Sequence, residues 1–189
     1  MYRIVDHCLQ PAQLIPSPNF NARPSGVTLD LIVIHSISLP PGQYGGCDIE
    51  ALFTNCLDPN KHEYFQDIHQ LEVSSHLLIK RDGTICQFVP FNQRAWHAGV
   101  SCYEERSNCN DYSVGIELEG TDQDPFEGVQ YQVLADVITA LLNAYPSLST
   151  EHIVGHSDIA PGRKTDPGVG FDWPHFRALL PNAIVKHIS

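Results

Sequence analysis

The chain has 189 residues, of which 42% are hydrophobic and 17% charged, and a formal net charge of −11. That length and composition suit a single globular domain, residues 1–189, able to bury a core without disulfide staples. The acidic balance excludes general attraction to nucleic acid or an anionic membrane, so an anionic substrate must be met by local basic groups.

In chain order, the start from Met1 to Gln10 carries Arg3, Asp6 and His7, with no apolar stretch of the kind a signal peptide needs. No later run reaches the ~18–20 apolar residues of a membrane span. A cytoplasmic protein is the expectation. Residues 16–26, rich in Pro, Asn and Gly, read as an irregular lead-in. Leu31-Ile32-Val33-Ile34-His35 is a short continuous apolar run, the pattern of a strand buried on both faces, with His35 at its C-terminal end.

Pro40, Pro41, Gly42, Gly45 and Gly46 force a loop. Asp48 can cap a helix running to about Cys56, and a second helical stretch covers about Lys61 to Leu71. Arg81-Asp82-Gly83, between Ser75–Lys80 and Thr84–Pro90, predicts a hairpin. A long loop, 92–111, holds Trp96, His97 and Gly99. From Ser113 to Glu119 the chain alternates: Val114, Ile116 and Leu118 point one way, and Gly115, Glu117 and Glu119 the other. Residues 129–144 carry apolar side chains at helical spacing, from Val133 to Leu142. His152 to Gly155 suits a short strand, 156–171 a loop, and Trp173-Pro174 the start of a last helix. Interleaved strands and helices with a hairpin predict an α/β fold: a mixed sheet with helices packed on it.

Ten histidines raise the prior for metal chemistry without locating it. The six cysteines form no CxxC pair and read as small reduced thiols. Two neutral imidazoles and one carboxylate, leaving a fourth position open, suit catalytic zinc. His35, His156 and Asp166 can supply that set. His152 and His156 stand four apart, but Ile153 rules out the HExxH motif. By residue type alone the bland readings stay open. A histidine placed like His35 is more often a hydrogen-bonded core residue than a ligand, Glu117 reads by default as a solvated strand-face carboxylate, and Lys164 is as commonly a surface loop lysine.

The segments IVIHSISLPPGQYGG, SSHLLIKRDGTICQFVPFNQRAWHAG, CNDYSVGIELEGTD and GHSDIAPGRKTDPG, in that order, resemble the AmpD-type N-acetylmuramyl-L-alanine amidases over about residues 16–178. The wider family includes phage amidase endolysins and peptidoglycan recognition proteins. The resemblance implies a zinc groove at one edge of a sheet covered by helices on both faces. It implies Zn2+ ligands at His35, His156 and Asp166, and catalytic roles for Glu117 and Lys164. The implied reaction cuts the amide between N-acetylmuramic acid, in its 1,6-anhydro form, and L-alanine. A monomeric recycling enzyme acting on anhydro-muramyl peptides is the leading expectation. In a bacterium with an inducible β-lactamase it would also lower the inducing muropeptide pool. The competing readings are a lytic amidase on intact wall, a non-catalytic peptidoglycan-binding module and a structural zinc site.

Trp96 could stack on a sugar or wall a groove, or anchor its own loop. His76 and His97 read as hydrogen-bonded histidines, either in the core or behind the metal ligands. The sequence departs from the family pattern at Ser36, where Asn is usual, and at Glu72 and Asn108, where Arg is often found. Arg106 lies close enough in sequence to replace Asn108 as a substrate contact, and with Arg81, Arg94 and Arg163 completes the basic candidates.

Overall fold

The computed structural model describes residues 2–181. At its centre is a six-stranded mixed sheet. Its strands are β1 (Gln13–Leu14), β2 (Leu31–Ile37), β3 (Leu77–Ile79), β4 (Ile85–Gln87), β5 (Ser113–Glu119) and β6 (Ile153–Gly155). They lie in the order β6-β2-β5-β3-β4-β1. β6, β2, β5 and β3 run parallel, and only the β3–β4 hairpin pairs antiparallel. The predicted alternation places this architecture correctly: β2 and β5 are central, so both faces of each are covered.

Helices cover both faces. On one, α3 (Gly128–Ala144) and α5 (Trp173–Leu179) meet the sheet through Leu134, Val137, Ile138, Leu141 and Phe176, over Ile32, Ile34, Ile116 and Leu118. Every one of these is fully or nearly fully buried, so truncating Leu134 to Ala would cost ~2–5 kcal/mol. On the other face, α1 (Asp48–Phe53) and α2 (Glu63–Ile68) pack Ile49, Leu52, Phe53 and Phe65 against Leu78, Cys86 and Phe88. The short α4 (His156–Ile159) sits over Leu31 and Val33.

Some boundaries differ from the sequence expectation. The first helix stops at Phe53 rather than near Cys56, because Asn55 turns to φ 59°. Asp48 is its first residue and gives its carboxylate to Lys61 at 2.8 Å instead of capping the helix. The lead-in contributes a short strand, Phe20–Ala22, paired antiparallel with Gln93–Ala95. The 92–111 segment is likewise more ordered than a loop. It forms a small ribbon (Cys102–Tyr103 with Arg106–Ser107) and a 3-10 turn at Cys109–Asp111. The N-terminal hairpin Arg3–Val5 with Cys8–Gln10 had no clear sequence signal.

Candidate metal centre and its groove

The parallel strands β6, β2 and β5 deliver three functional side chains at their carboxyl ends, where open α/β sheets place their ligands. His35 and Glu117 stand opposite each other in register on β2 and β5. Cross-strand neighbours point to the same face, so both side chains leave the sheet together. The apolar residues one position away turn into the α3 core, which is why the odd positions of β5 are free for chemistry. β6 ends at Gly155, and His156 opens α4 directly after it. A Cβ at Gly155 would come within 2.9 Å of the Pro167 ring, so glycine lets the segment carrying Asp166 close onto the strand end. Ser157 N–H, donating to the Asp166 carbonyl at 3.0 Å, ties that segment down.

Three atoms converge. His35 Nδ1 lies 3.0 Å from His156 Nδ1 and 3.1 Å from Asp166 Oδ2, and His156 Nδ1 lies 3.0 Å from Asp166 Oδ2. Tetrahedral zinc with bonds of about 2.0–2.1 Å sets its ligands about 3.3 Å apart, and this triangle is close to that size. Its chemistry also fits a cation. His156 Nε2 sits 3.1 Å from the Ala98 carbonyl, which can only accept, so the proton belongs on Nε2 and Nδ1 faces the triangle as a bare lone pair. Both histidines are nearly fully buried. Burial is the main cause that lowers the His35 pKa to about 4, with Asp166 opposing and His156 reinforcing it.

Glu117 lies beside this triangle, its Oε1 4.0 Å from His35 Nδ1. Its other oxygen, Oε2, is buried with no hydrogen-bond partner. Burial first, and then the Asp166 carboxylate, raises its pKa well above the ordinary value, while Lys164 pulls it down. It is therefore not a solvated strand-face carboxylate. Glu119, two positions on, takes the structural part: it accepts from Gly45 N–H at 2.7 Å and Arg81 N–H at 3.1 Å.

A groove of about 520 Å3 opens from the triangle, lined by Glu117, Lys164, Trp96 and the three converging residues among others. Lys164 is exposed and, among the described residues, is the one lysine or arginine lining it. Trp96 is among the residues lining the groove, and its Nε1 donates to Asn21 Oδ1 at 2.7 Å. Tyr64, Ile68 and Leu71 complete an apolar wall. These were missed, although a signal existed. They recur at i, i+4 and i+7 beside the buried Phe65, which makes a second stripe on a segment that needs one for the core. Tyr64 and Leu71 remain 41% and 48% exposed, large for apolar residues with no role.

The basic candidates do not reach the groove. Arg106 turns away, bonding Asp30 at 2.8 Å and stacking on Tyr112, because the ribbon that carries it folds toward the strand start. Arg94 pairs with Asp111, Arg81 with Glu127, and Arg163 donates to the Ala98 and Val100 carbonyls. Ser36 does line the groove, its hydroxyl 3.3 Å from Asp122 Oδ1. Glu72 and Asn108 are exposed.

His97 and His76 are both buried, and His97 also lines the groove. His97 Nδ1 lies 2.9 Å from His35 Nε2. His76 accepts from Gly115 N–H at 3.0 Å and faces the Gln93 carbonyl at 3.1 Å.

Comparison with known proteins bears on this site. The family described as N-acetylmuramoyl-L-alanine amidase matches residues 25–169. The 1,6-anhydro-N-acetylmuramyl-L-alanine amidase AmpD of Citrobacter freundii is 55% identical over 181 residues, 96% of each chain. A crystal structure of a selenomethionine AmpD derivative superposes with a TM-score of 0.91 at 53% identity, covering 94% of this chain and 99% of that one. The Escherichia coli amidase AmiD, in complex with anhydro-N-acetylmuramic acid-L-Ala-D-γ-Glu-L-Lys, gives a TM-score of 0.58 at 28% identity, covering 83% of this chain and 60% of that one.

Proposed function

The chain belongs to the N-acetylmuramoyl-L-alanine amidase family, and from that premise we propose a zinc-dependent hydrolase of anhydro-muramyl peptides that works as one domain in the bacterial cytoplasm. The observation that carries the zinc reading is the triangle of His35, His156 and Asp166, whose ligand atoms all lie within 4.8 Å of one another. The anhydro-sugar preference rests on the AmpD and AmiD likenesses. No described helix is long and apolar enough to cross a membrane.

The bond to be cut is the amide between the lactyl carbonyl of muramic acid and the alanine nitrogen. Amides resist hydrolysis because the carbonyl is a poor electrophile and the amine a poor leaving group. His35, His156 and Asp166 would hold the zinc, which when bound would supply Lewis-acid polarisation of the carbonyl and a water whose pKa lies nearer ~7, the value zinc gives bound water. Glu117 takes a proton from the attacking water and delivers it to the departing nitrogen. Its unpartnered Oε2 and its raised pKa suit both tasks. Lys164 neutralises charge on the carbonyl oxygen, a role worth ~10²–10³ in rate for one such donor. Trp96, Tyr64 and Leu71 give the groove an apolar wall for the non-polar face of the sugar. In a host with an inducible β-lactamase, the same activity would lower the inducing muropeptide pool.

The test is incubation with anhydro-muramyl peptide and, separately, with intact sacculi, each with and without a chelator, and identification of the products by mass. Release of the free peptide from the soluble fragment, lost on chelation and restored by zinc, is expected. Cleavage of sacculi alone would overturn the assignment to recycling.

A further inference from the structure

His97 is buried and is among the residues lining the groove, and its ring is fixed at both nitrogens. The protons along this chain of contacts can be assigned from its far end. Ser113 Oγ lies 2.6 Å from the Cys109 carbonyl, which only accepts, so the serine proton points there. The same Oγ lies 3.1 Å from His97 Nε2, and having spent its proton it must accept. His97 Nε2 therefore carries a hydrogen. The ring is buried, and the partners of its two nitrogens are a serine hydroxyl and another imidazole, with no carboxylate to hold a second proton, so this imidazole is neutral. A neutral imidazole has one N–H, so His97 Nδ1 is an acceptor. The atom it faces at 2.9 Å, His35 Nε2, must then be protonated. His35 is left with its lone pair on Nδ1, the nitrogen aimed at His156 and Asp166.

The backbone holds this arrangement together. Ser113, Gly115 and Glu117 alternate along one face of β5, in register with Leu31, Val33 and His35 on β2. The His97 ring lies on the middle position: a Cβ at residue 115 would come 2.4 Å from His97 Cγ. Asn110 fixes the stretch carrying the ring, its Oδ1 accepting from His97 N–H at 3.1 Å and Ala98 N–H at 2.8 Å. The next carbonyl along, that of Ala98, is the acceptor for His156 Nε2. One short segment, His97-Ala98, thus faces the outer nitrogen of both histidines.

We propose that His97, seated by Ser113, is a positioning residue that selects the His35 tautomer with a bare Nδ1 and orients its ring toward the metal triangle. This rests on the zinc reading given above. It acts through His35, not on substrate, and its partner on the His156 side is the Ala98 carbonyl. Such outer hydrogen bonds to ligating histidines are commonly worth ~10–100-fold in metal affinity.

The experiment compares the parent with His97→Phe, His97→Asn and Ser113→Ala. Zinc affinity is measured by chelator competition, and imidazole tautomers by long-range proton–nitrogen NMR of the zinc-loaded protein. His97→Phe keeps a ring over Gly115 but offers no acceptor, and its zinc affinity should fall ~10–100-fold. His97→Asn puts a carbonyl oxygen near the position of Nδ1 and should recover most of that loss, which a purely space-filling role would not predict. In the parent, NMR should find His35 and His97 both protonated at Nε2. Ser113→Ala should give a smaller loss, with His97 shifting toward the other tautomer. A parent that shows His97 protonated at Nδ1 would overturn the proposal, even if no variant folds. So would a His97→Phe protein that binds zinc as tightly as the parent. A parent that binds no zinc overturns the metal reading itself, and the proposal with it.

Discussion

Glu117 and His35 face each other across two parallel strands, with a carboxylate oxygen 4.0 Å from the imidazole nitrogen Nδ1. Register alone places the proposed base beside the proposed metal ligand. If Glu117 moves protons and does not hold the metal, Glu117→Gln should cut kcat by ~10²–10⁴ while zinc content stays at one per chain. The substitution also removes a buried ionisable group with an unpartnered oxygen, so the thermal midpoint should hold or rise. Kinetics on anhydro-muramyl peptide, metal analysis and a melting curve check all three. A variant with normal turnover removes Glu117 from the mechanism.

Chelation separates the three converging residues from ordinary core histidines. Two imidazole nitrogens and a carboxylate oxygen stand about 3 Å from one another, a crowding of lone pairs that a bound cation would relieve. The metal-free protein should be inactive and should melt lower, by an amount that grows with the free zinc used in the loaded sample. His156→Ala should show neither activity nor this zinc-dependent shift. Calorimetry with and without chelator makes the comparison.

Gly115 is needed for space, not for backbone freedom. A methyl group there would have to displace the His97 ring, which is walled in by His35, His76 and Ser113. Gly115→Ala should cost ~1–3 kcal/mol by overpacking. Gly128, where a Cβ meets nothing within 4 Å, is the control, and Gly128→Ala should leave stability level or slightly raised. Urea unfolding of the two variants measures the difference.

How much of this was legible in the sequence follows from how local each signal is. β2 read clearly because burial on both faces writes an apolar residue into every position from Leu31 to Ile34, and β5 because Val114, Ile116 and Leu118 alternate with the residues between them. The α3 helix read clearly because its single apolar stripe has helical period over many turns. The metal triangle did not read from spacing, since its members are 121 and 131 residues apart in sequence. Only the motif resemblance gathered them. The helix and hairpin at the N-terminal half blurred for the opposite reason, since short elements carry too few positions for a period. Arg106 was misplaced because nearness in sequence to Asn108 says nothing about direction once a two-residue ribbon turns the chain back on itself. Tyr64 and Leu71 were passed over because an exposed apolar residue is common, and becomes informative only once a groove lies beside it.

Acid sensitivity should come partly from His76. Burial, reinforced by the nearby Arg23 guanidinium, lowers its folded pKa to about 3 from 6.5. Below about 6.5 the unfolded chain binds a proton that the folded chain refuses until about 3, so the unfolded state holds more protons across that window. Stability therefore rises with pH there, and is lost as pH falls from about 6.5 toward 3, at up to about 1.4 kcal/mol per pH unit for one proton. His76→Gln should be less stable at pH 7, because it loses the bonds to Gly115 N–H and the Gln93 carbonyl. Its stability should nonetheless decline more gently than the parent's between pH 6.5 and 4.5. Parallel slopes in urea titrations would show that His76 is not the group responsible.

Trp96 offers a way to separate the wall of the groove from the anchor of the loop. Its Nε1 bond to Asn21 holds the ring, and the residue lines the groove. Trp96→Phe removes the bond and keeps most of the face; Asn21→Ala removes the bond and keeps all of it; Trp96→Ala removes both. If the face binds sugar, Trp96→Ala should raise KM by ~10-fold, the equivalent of about 1.4 kcal/mol, with kcat within a few-fold of the parent. Asn21→Ala should then change KM little. Should Asn21→Ala raise KM as much as Trp96→Ala, the ring matters through the loop it fastens, and the contact with sugar is lost from the argument. The zinc content of each variant, expected to be unchanged, confines the effect to binding of the substrate.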